Sequence, residues 1–529
     1  MQNQDVSATA DSSQEARYYL RVEAVNLSNT VYDTNDISTI RGGGFLVLNA
    51  VNALTKFPFL EHISTGASSG LFKILNGTNP DAACSEALKA LDEATGGHAT
   101  FVADIVDSVK PDGSKMSFTE IQETLMAKNR WRQFQQLTVP WGGGWAGASG
   151  EFESCELNGI HPAVHIVDKD PDKQEDKGKK IAECTFFKRE QGRDLRQRIY
   201  AKILKVPETT LPSFTRDLKE LSTFEEHHPD FAEIKKNLDG KIAFIYIDGN
   251  KFTKIRGDYV AEAGDLTEFD RVVQDKFRAK VLAKVIEHMS VDPGSQAADG
   301  RLRLETLLWG GDELEWVVPA WKGWDILQIF YEQKPVLDAK KEGEKSWQLT
   351  HGAGIVFCHH TAPILEIRKM ARSLAEMAKD KLEKDKLPSH ETGDIFHYLV
   401  LESLDRTEAD LGIFLESYYR PAPFGDLMMH ARDMKDFTES MERLKTHFPR
   451  NKIFTIMDIL RLPGDGKKKP DDPSKGERIE KIVDRALTGC PERENCILAI
   501  KGILGGEIKD TIKRWFIIAD LWDFVGGAQ

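Results

Sequence analysis

Phe244-Ile-Tyr-Ile-Asp-Gly-Asn-Lys-Phe252 (FIYIDGNKF) decides the fold of this chain, because it reads as a buried strand that ends on a carboxylate. Phe244, Ile245, Tyr246 and Ile247 form an apolar run, Asp248 ends it, and Gly249-Asn250 supply a turn. Further along, LLWGGDELEW (Leu307 to Trp316) is an apolar run broken by Gly-Gly-Asp-Glu. That pattern predicts a hairpin whose turn carries Asp312 and Glu313. A strand delivering Asp248 beside this hairpin gathers three carboxylates in a small space. Such a group repels itself unless a divalent cation lies among its oxygens. Paired divalent ions in such a site activate an attacking hydroxyl and stabilise a departing oxyanion.

At 529 residues the chain exceeds a single core, so several domains are expected. Its 40% apolar and 29% charged residues describe an ordinary globular protein. No apolar run approaches the ~20 residues of a membrane span, so no membrane partner is expected. Residues 1–16 are polar and acidic and read as a disordered tail rather than a signal peptide. Six irregularly spaced cysteines point to a reducing, cytoplasmic setting. A net charge of −13 argues against a broad nucleic-acid footprint and leaves room for a local basic pocket.

Charged or Pro/Gly-containing stretches predict loops at Asp168 to Lys180, Leu337 to Lys345 and Leu462 to Arg478. A weak internal repeat organises the rest. Tyr19 to Asp33 parallels Ile242 to Arg256, with Asn26 falling where Asp248 stands; Ile63 to Ile74 parallels Leu307 to Val318, with Gly66-Ala67-Ser68-Ser69 opposite Gly310-Gly311-Asp312-Glu313. On this overlay the first copy keeps the hairpin and loses every carboxylate. Each copy reads strand, helix, strand, hairpin strand, helix, strand, an α+β, ferredoxin-like pattern. Ala353 to His360 is expected to be a late strand, followed by a helix from Ile364 to Lys381 that Pro363 introduces. Beyond about residue 385 helical patterns are expected to dominate, starting with IFHYLVLESL (Ile395 to Leu404).

YIDGNKF, WGGDELEW, HGAGIVFCHHTAPILEIRKMARSLAEMAKDK and YRPAPFGDLMMHARDM with HFPRNKIFTIMDIL, in that order, resemble the large polymerase-cyclase subunit of type III CRISPR effector complexes and its stand-alone relatives, the CRISPR polymerase-like nucleotide cyclases. These are distant cousins of GGDEF diguanylate cyclases. The resemblance runs from Tyr18 to Arg461. It implies a degenerate first palm over 17–150, a linker with a degenerate zinc knuckle and helices over 151–238, a second palm over 239–384 and an all-helical domain over 385–529. An HD nuclease domain, frequent at the start of the large subunit, is expected to be absent, because the first palm begins at Tyr18. The knuckle keeps Cys155 and Cys184 but has Asn158 and Phe187 where partner cysteines would stand. Cys155, Cys184, His161 and His165 are the candidate ligands, and a metal-free relic is the reading preferred.

The resemblance assigns catalysis and metal binding (Mg2+ or Mn2+) to Asp248, Asp312 and Glu313. It assigns nucleotide binding to Gly249, Asn250, Lys251, Phe252, Gly310, Gly311 and Lys379. GGDE departs from the family's GGDD and GG(D/E)EF, and Asn250 stands where generic cyclases carry a second aspartate. Arg256 stands where guanine-reading cyclases carry an asparagine, which argues against a diguanylate pocket and leaves the base open; the resemblance alone favours ATP. His359 and His360 read as structural, Cys490 and Cys496 as flanking a surface loop rather than a metal site, and Trp141 and Trp145 as packing residues. The function implied is a nucleotide cyclase making cyclic di- or oligonucleotides from ATP, with pyrophosphate release, in antiviral defence. RNA, CRISPR effector subunits and further copies of the chain are the other partners in view. Two alternatives are an RNA-guided effector subunit with a scaffold role, and a homodimeric diguanylate-type enzyme using GTP.

Overall fold

Leu20, Val22 and Ala24 point inward at every second position of Tyr18–Val25, with Arg21 and Glu23 left partly exposed, and this alternation makes β1. The computed structural model describes residues 17–135, 153–167, 177–224, 237–263, 266–334, 336–338, 346–384, 393–402, 410–419, 427–461, 473–509 and 514–526. After β1 come α1 (Ile37–Ala53), β2 (Leu60–Thr65), β3 (Ser69–Ile74), α2 (Pro80–Thr95) and β4 (Thr100–Asp107). The strands lie in the order β2-β3-β1-β4 with every neighbouring pair antiparallel, a split βαβ arrangement. Local signals set the helices: Asp36 and Asn79 cap α1 and α2, and α3 (Phe118–Gln133) begins with a Ser117/Glu120 capping box.

A short antiparallel pair, β5 (His165–Ile166) and β6 (Lys180–Ile181), leads into α4 (Glu183–Leu204), which lies against α1. The two helices meet at Gly42 and Gly192, where a Cβ on Gly42 would run into the Lys188 carbonyl. Only glycine permits that approach.

β7 (Lys241–Gly249) starts a second sheet. It is followed by α5 (Phe252–Ala263), α6 (Leu266–Arg271), a π-helical stretch (Val272–Arg278) and α7 (Ala279–Val291). The hairpin β8 (Glu305–Trp309) and β9 (Leu314–Pro319), α8 (Gly323–Glu332), a small pair β10 (Val336–Asp338) and β11 (Ser346–Gln348), and β12 (His351–His359) complete the unit. Its strands run β12-β7-β9-β8, the same order as β4-β1-β3-β2, so the repeat read in the sequence is a repeat of topology. β7 sits centrally with Ile242 to Ile247 all buried, which is why it reads as a continuous apolar run.

The region after residue 385 differs from the all-helical expectation. After α9 (Ile364–Lys384), Ile395–Val400 forms β13, parallel to β12 from Gly352↔Ile395 to Phe357↔Val400, and Met429–His430 adds β14. All six β13 residues are buried, and a short apolar run covered on both faces carries no period that separates strand from helix. Helices Met434–His447, Arg450–Arg461, Pro473–Ala486, Arg493–Leu504 and Trp515–Leu521 then follow. Of the three expected loops, 168–176, 339–345 and 462–472 lie outside the described residues; the first ends at Lys180 on β6, the second starts within β10, and the third is helical from Pro473. The tail 1–16, Trp141 and Trp145 lie outside the described residues. One apolar cluster runs through both sheets and the last helices, and no described helix is long and apolar enough to cross a membrane.

Candidate active site

β7 carries Asp248 to the sheet end opposite Gly352 of β12. A Cβ at Gly352 would lie 2.6 Å from Lys379 Cγ, so the glycine opens a path over which Lys379 of α9 reaches across the strand. Lys379 Nζ donates to Asp248 Oδ2 at 2.5 Å. Burial pushes the Asp248 carboxyl above its usual range; Lys379 opposes this, and Asp312 and Glu313 add to it.

Lys251 adopts a left-handed conformation (φ 51°) that turns the chain into α5, led by Phe252. The Asn250 N–H donates to the Thr350 carbonyl at 2.8 Å and its Nδ2 to Thr350 Oγ1 at 3.1 Å, leaving Asn250 Oδ1 buried without a partner. A Cβ at Gly249 would meet Phe252 Cβ at 3.0 Å and Asp312 Cβ at 3.2 Å; glycine here lets the acidic turn close on the strand end.

In that turn the Gly310 N–H donates to the Glu313 carbonyl at 2.8 Å. Tyr246 Oη donates to Glu313 Oε1 at 2.8 Å, and a terminal Arg278 nitrogen donates to the Gly311 carbonyl at 3.2 Å. The π-helical stretch delivers Arg278 fully buried beneath the turn, with its other guanidinium nitrogens unpartnered. Burial lowers its pKa to about 10, against the attraction of Asp312 and Asp248.

Asp248, Asp312 and Glu313 are therefore neighbours, yet their carboxylate oxygens do not all lie within 4.8 Å of one another. Among the described residues the group that does is Asp33, His161 and Cys184. Asp248 is engaged by Lys379 and Glu313 by Tyr246 instead. Three carboxylates offer the hard oxygen ligands that Mg2+ takes, and Asn250 Oδ1 two residues beyond Asp248 is a further oxygen buried without a partner.

The turn opens into a cleft of about 250 Å3 between the two sheets. On the side of the second sheet lie Phe252, Arg256, Phe269 and Asp270; opposite stand Arg21 and the hairpin turn Gly66 to Ser69. Arg278, Asp270 and Arg21 belong to no local motif, and sequence reasoning missed them; Tyr246 lies within YIDGNKF, but its hydroxyl's reach to Glu313 was not foreseen. Asp270 accepts from Ser64 Oγ at 3.1 Å, and its carboxyl rises from 3.8 to about 7, chiefly through burial. The folded state thus holds this proton more tightly than the unfolded chain. Its contribution to stability is full below pH 3.8 and is lost as pH rises through about 7. Asp270→Asn is expected to flatten that part of the stability–pH curve, read from denaturant midpoints at pH 5 and pH 8.

Register corrects the sequence overlay of the two halves. Asn26 is left-handed (φ 55°) immediately before a helical turn, as Lys251 is, so Asn26 matches Lys251 and Glu23 matches Asp248. The hairpins agree independently: Gly66 N–H donates to the Ser69 carbonyl at 2.8 Å, as Gly310 does to Glu313. Val22 pairs with Gly70 and Glu23 with Ser69, as Ile247 pairs with Leu314 and Asp248 follows. The first half has not lost every carboxylate, since Glu23 occupies the Asp248 position.

Where a degenerate zinc knuckle was expected, polar side chains hydrogen-bond to one another. Asn158 Nδ2 donates to Thr185 Oγ1 at 3.1 Å and lies 3.1 Å from His161 Nδ1, while Lys188 Nζ donates to Asp33 at 2.9 Å. His165 turns away to Glu183 and Phe186, and Phe187 packs on His98. With a buried ammonium already on Asp33 and an amide among the donors, this set does not fit tetrahedral zinc. Metal analysis of purified protein is expected to find zinc well below one per chain, with the unfolding midpoint unmoved by chelator. The His359 and His360 rings lie tilted against each other at the end of β12, where His360 Nδ1 lies 3.0 Å from the Gly240 carbonyl; Cys496 is buried at the start of the helix Arg493–Leu504 and not in a surface loop.

No family model and no curated protein matches the chain. Among solved structures it is similar to type III CRISPR large subunits. The apo Csm1-Csm4 cassette superposes with a TM-score of 0.46 at 10% identity, covering 97% of this chain and 71% of that one. Csm1 in T. onnurineus gives 0.44 at 11% identity over 96% and 71% of the two chains. The apo state of type III-B Cmr-beta gives 0.43 at 9% identity over 90% and 77%. A likeness of this degree leaves function to be argued from the site.

Proposed function

We propose that this protein is a nucleotidyltransferase of the palm class that joins ATP molecules into a cyclic di- or oligonucleotide, releasing pyrophosphate. The observation that carries the reading is the acidic turn Asp312-Glu313 closed on the strand end at Asp248, at the mouth of a cleft whose far wall is the matching hairpin of the first half. The two split βαβ units would act as ferredoxin-like palms, the second binding the donor nucleotide and the first presenting the acceptor ribose. Asp248, Asp312 and Glu313 would hold Mg2+ or Mn2+, which when bound supplies an activated hydroxyl and neutralises charge on the departing pyrophosphate.

The chain's own residues would do the positioning. Backbone N–H groups from Gly249 to Phe252 would line the phosphates, and Lys379 would pass from Asp248 to the triphosphate. Tyr246 fixes the rotamer of Glu313, and Arg278 holds the turn through the Gly311 carbonyl. Catalysis of this kind is mainly orientation and charge neutralisation. The resemblance noted in the sequence extends the proposal to antiviral signalling, with CRISPR effector subunits as partners. Incubation with labelled ATP and magnesium, followed by mass spectrometry, tests the reading: a phosphatase-resistant cyclic product is expected. Absence of pyrophosphate release under any divalent cation would overturn it.

A further inference from the structure

We infer that Arg368 and Tyr32 are positioning residues for the acidic turn. A guanidinium stacked on a ring of the first half neutralises Glu315 and leaves Glu313 to take a cation. This rests on the reading that the turn binds a divalent cation. It makes metal affinity in the second half depend on a side chain of the first.

α9 packs across the face of the second sheet that carries the site. Gly352 and Gly354 of β12 stand opposite Asp248 and Tyr246. A Cβ at Gly354 would lie 1.9 Å from the Ala371 carbonyl oxygen, so the helix backbone rests directly on the strand. Arg368, Arg372 and Lys379, at helical spacing, reach past that strand to its neighbours. Lys379 meets Asp248, the Arg372 guanidinium lies 5.9 Å from the centre of the Tyr246 ring, and Arg368 Nε donates to Glu315 Oε1 at 2.7 Å.

Glu315 lies directly opposite Tyr246 on β9, and Tyr246 gives its hydroxyl to Glu313. Glu313 and Glu315 therefore project from the same side of the chain, two residues apart. The Glu315 side chain is fully buried, and Glu313 is partly exposed. Left without a countercharge, the buried carboxylate would repel Glu313 and compete with it for any cation the turn admits. Arg368 removes that competitor.

The guanidinium is itself held by the first half. Its carbon lies 3.7 Å from the centre of the Tyr32 ring, and the Tyr32 hydroxyl donates to Glu315 Oε2 at 3.4 Å. The loop bearing Tyr32 is braced by the buried Lys188 ammonium, which donates to the Thr30 carbonyl at 2.8 Å and to Asp33 at 2.9 Å. Asn35 Oδ1 of the same loop accepts from the Leu365 N–H of α9 at 3.4 Å. One cation is thus gripped from both halves, by a ring and by a carboxylate. The competing accounts are that Arg368 only braces the halves together, or only adds positive charge near the turn.

Mn2+ titration of the full chain without nucleotide, read by electron paramagnetic resonance, separates the three. Binding at the turn is the part lost in the Asp248→Ala, Asp312→Ala double variant. Arg368→Gln and Tyr32→Leu are each expected to weaken it about tenfold, as loss of a partner that orients a ligating carboxylate does. Arg368→Lys keeps the charge without the flat stack, and Tyr32→Phe keeps the ring without the hydroxyl; both are expected to weaken it less. A mere positive charge predicts the opposite sign, because removing a cation from beside an acidic turn tightens Mn2+. A mere brace predicts a lower urea midpoint with Mn2+ affinity unchanged in the folded protein. Either result overturns the inference. Should Arg368→Gln fail to fold, Tyr32→Leu and Arg368→Lys still decide it. Wild-type protein that binds no Mn2+ at the turn would sink the cation reading and this inference with it. Wild-type binding that the Tyr32 and Arg368 variants leave untouched would sink the inference alone.

Discussion

Replacing Asp248 and Asp312 together by alanine is expected to remove pyrophosphate release from ATP, a fall of roughly 10^3-fold or more, equivalent to about 4 kcal/mol of transition-state stabilisation. The two carboxylates approach from different elements, a strand end and a hairpin turn, and neither is buried in the apolar core. Their removal should therefore leave the fold standing. Asp248→Ala does strand the Lys379 ammonium, whose hydrogen-bond partner among the described residues is Asp248 Oδ2, so the control is Asp248→Asn, which keeps a hydrogen-bond acceptor there and discards the charge. If catalysis depends on a cation among carboxylates, the asparagine variant should be nearly as inactive as alanine while unfolding at the wild-type denaturant concentration. Release of pyrophosphate that persists in the double variant would transfer the chemistry elsewhere.

That pair of aspartates was legible in the sequence for a physical reason. A charge at the end of an apolar strand is costly unless used, and Gly-Gly-Asp-Glu between two apolar runs has the chemistry of a tight turn. The four-strand order common to the two sheets agrees with the ferredoxin-like pattern read from the same alternation of apolar runs and turns. β13 was not legible: Ile395–Val400 is fully buried, and burial on all sides erases the period by which a strand is told from a helix. Glu23 was overlooked because the overlay of the halves followed hydrophobic runs, whereas the true register is set by the left-handed residues Asn26 and Lys251, whose conformation no composition reveals. Arg278 and Asp270 act on groups far along the chain, the Gly311 carbonyl and the Ser64 hydroxyl, and such contacts leave no local pattern. Lys379 was read as a phosphate contact, and the structure adds its ion pair with Asp248.

Glu305→Ala is expected to be the most destabilising single change, by ~3–5 kcal/mol. Glu305 begins β8, the strand that leads into the acidic turn, and its carboxylate joins the helices α1 and α4. Oε2 accepts from Arg41 of α1 at 2.5 Å and from Arg196 of α4 at 3.1 Å, and Oε1 accepts from the Thr306 N–H at 3.1 Å. Arg41 also donates to the Gly192 carbonyl and Arg196 to the Thr215 carbonyl, so the network is satisfied on both sides. All three side chains are under 10% exposed. Removing the carboxylate leaves two guanidinium groups facing each other in the interior, uncompensated, which is far costlier than losing the attraction alone. Glu305→Gln keeps the shape and one acceptor oxygen and should cost less. Converting all three residues to apolar ones of similar volume, Arg41→Met, Arg196→Met and Glu305→Leu, should recover most of the loss, because it removes the stranded charges with their partner. Urea midpoints of the three proteins give the comparison directly. A Glu305→Ala midpoint no lower than that of Glu305→Gln would assign the cohesion of the two halves to the apolar contacts around the triad instead of its charges.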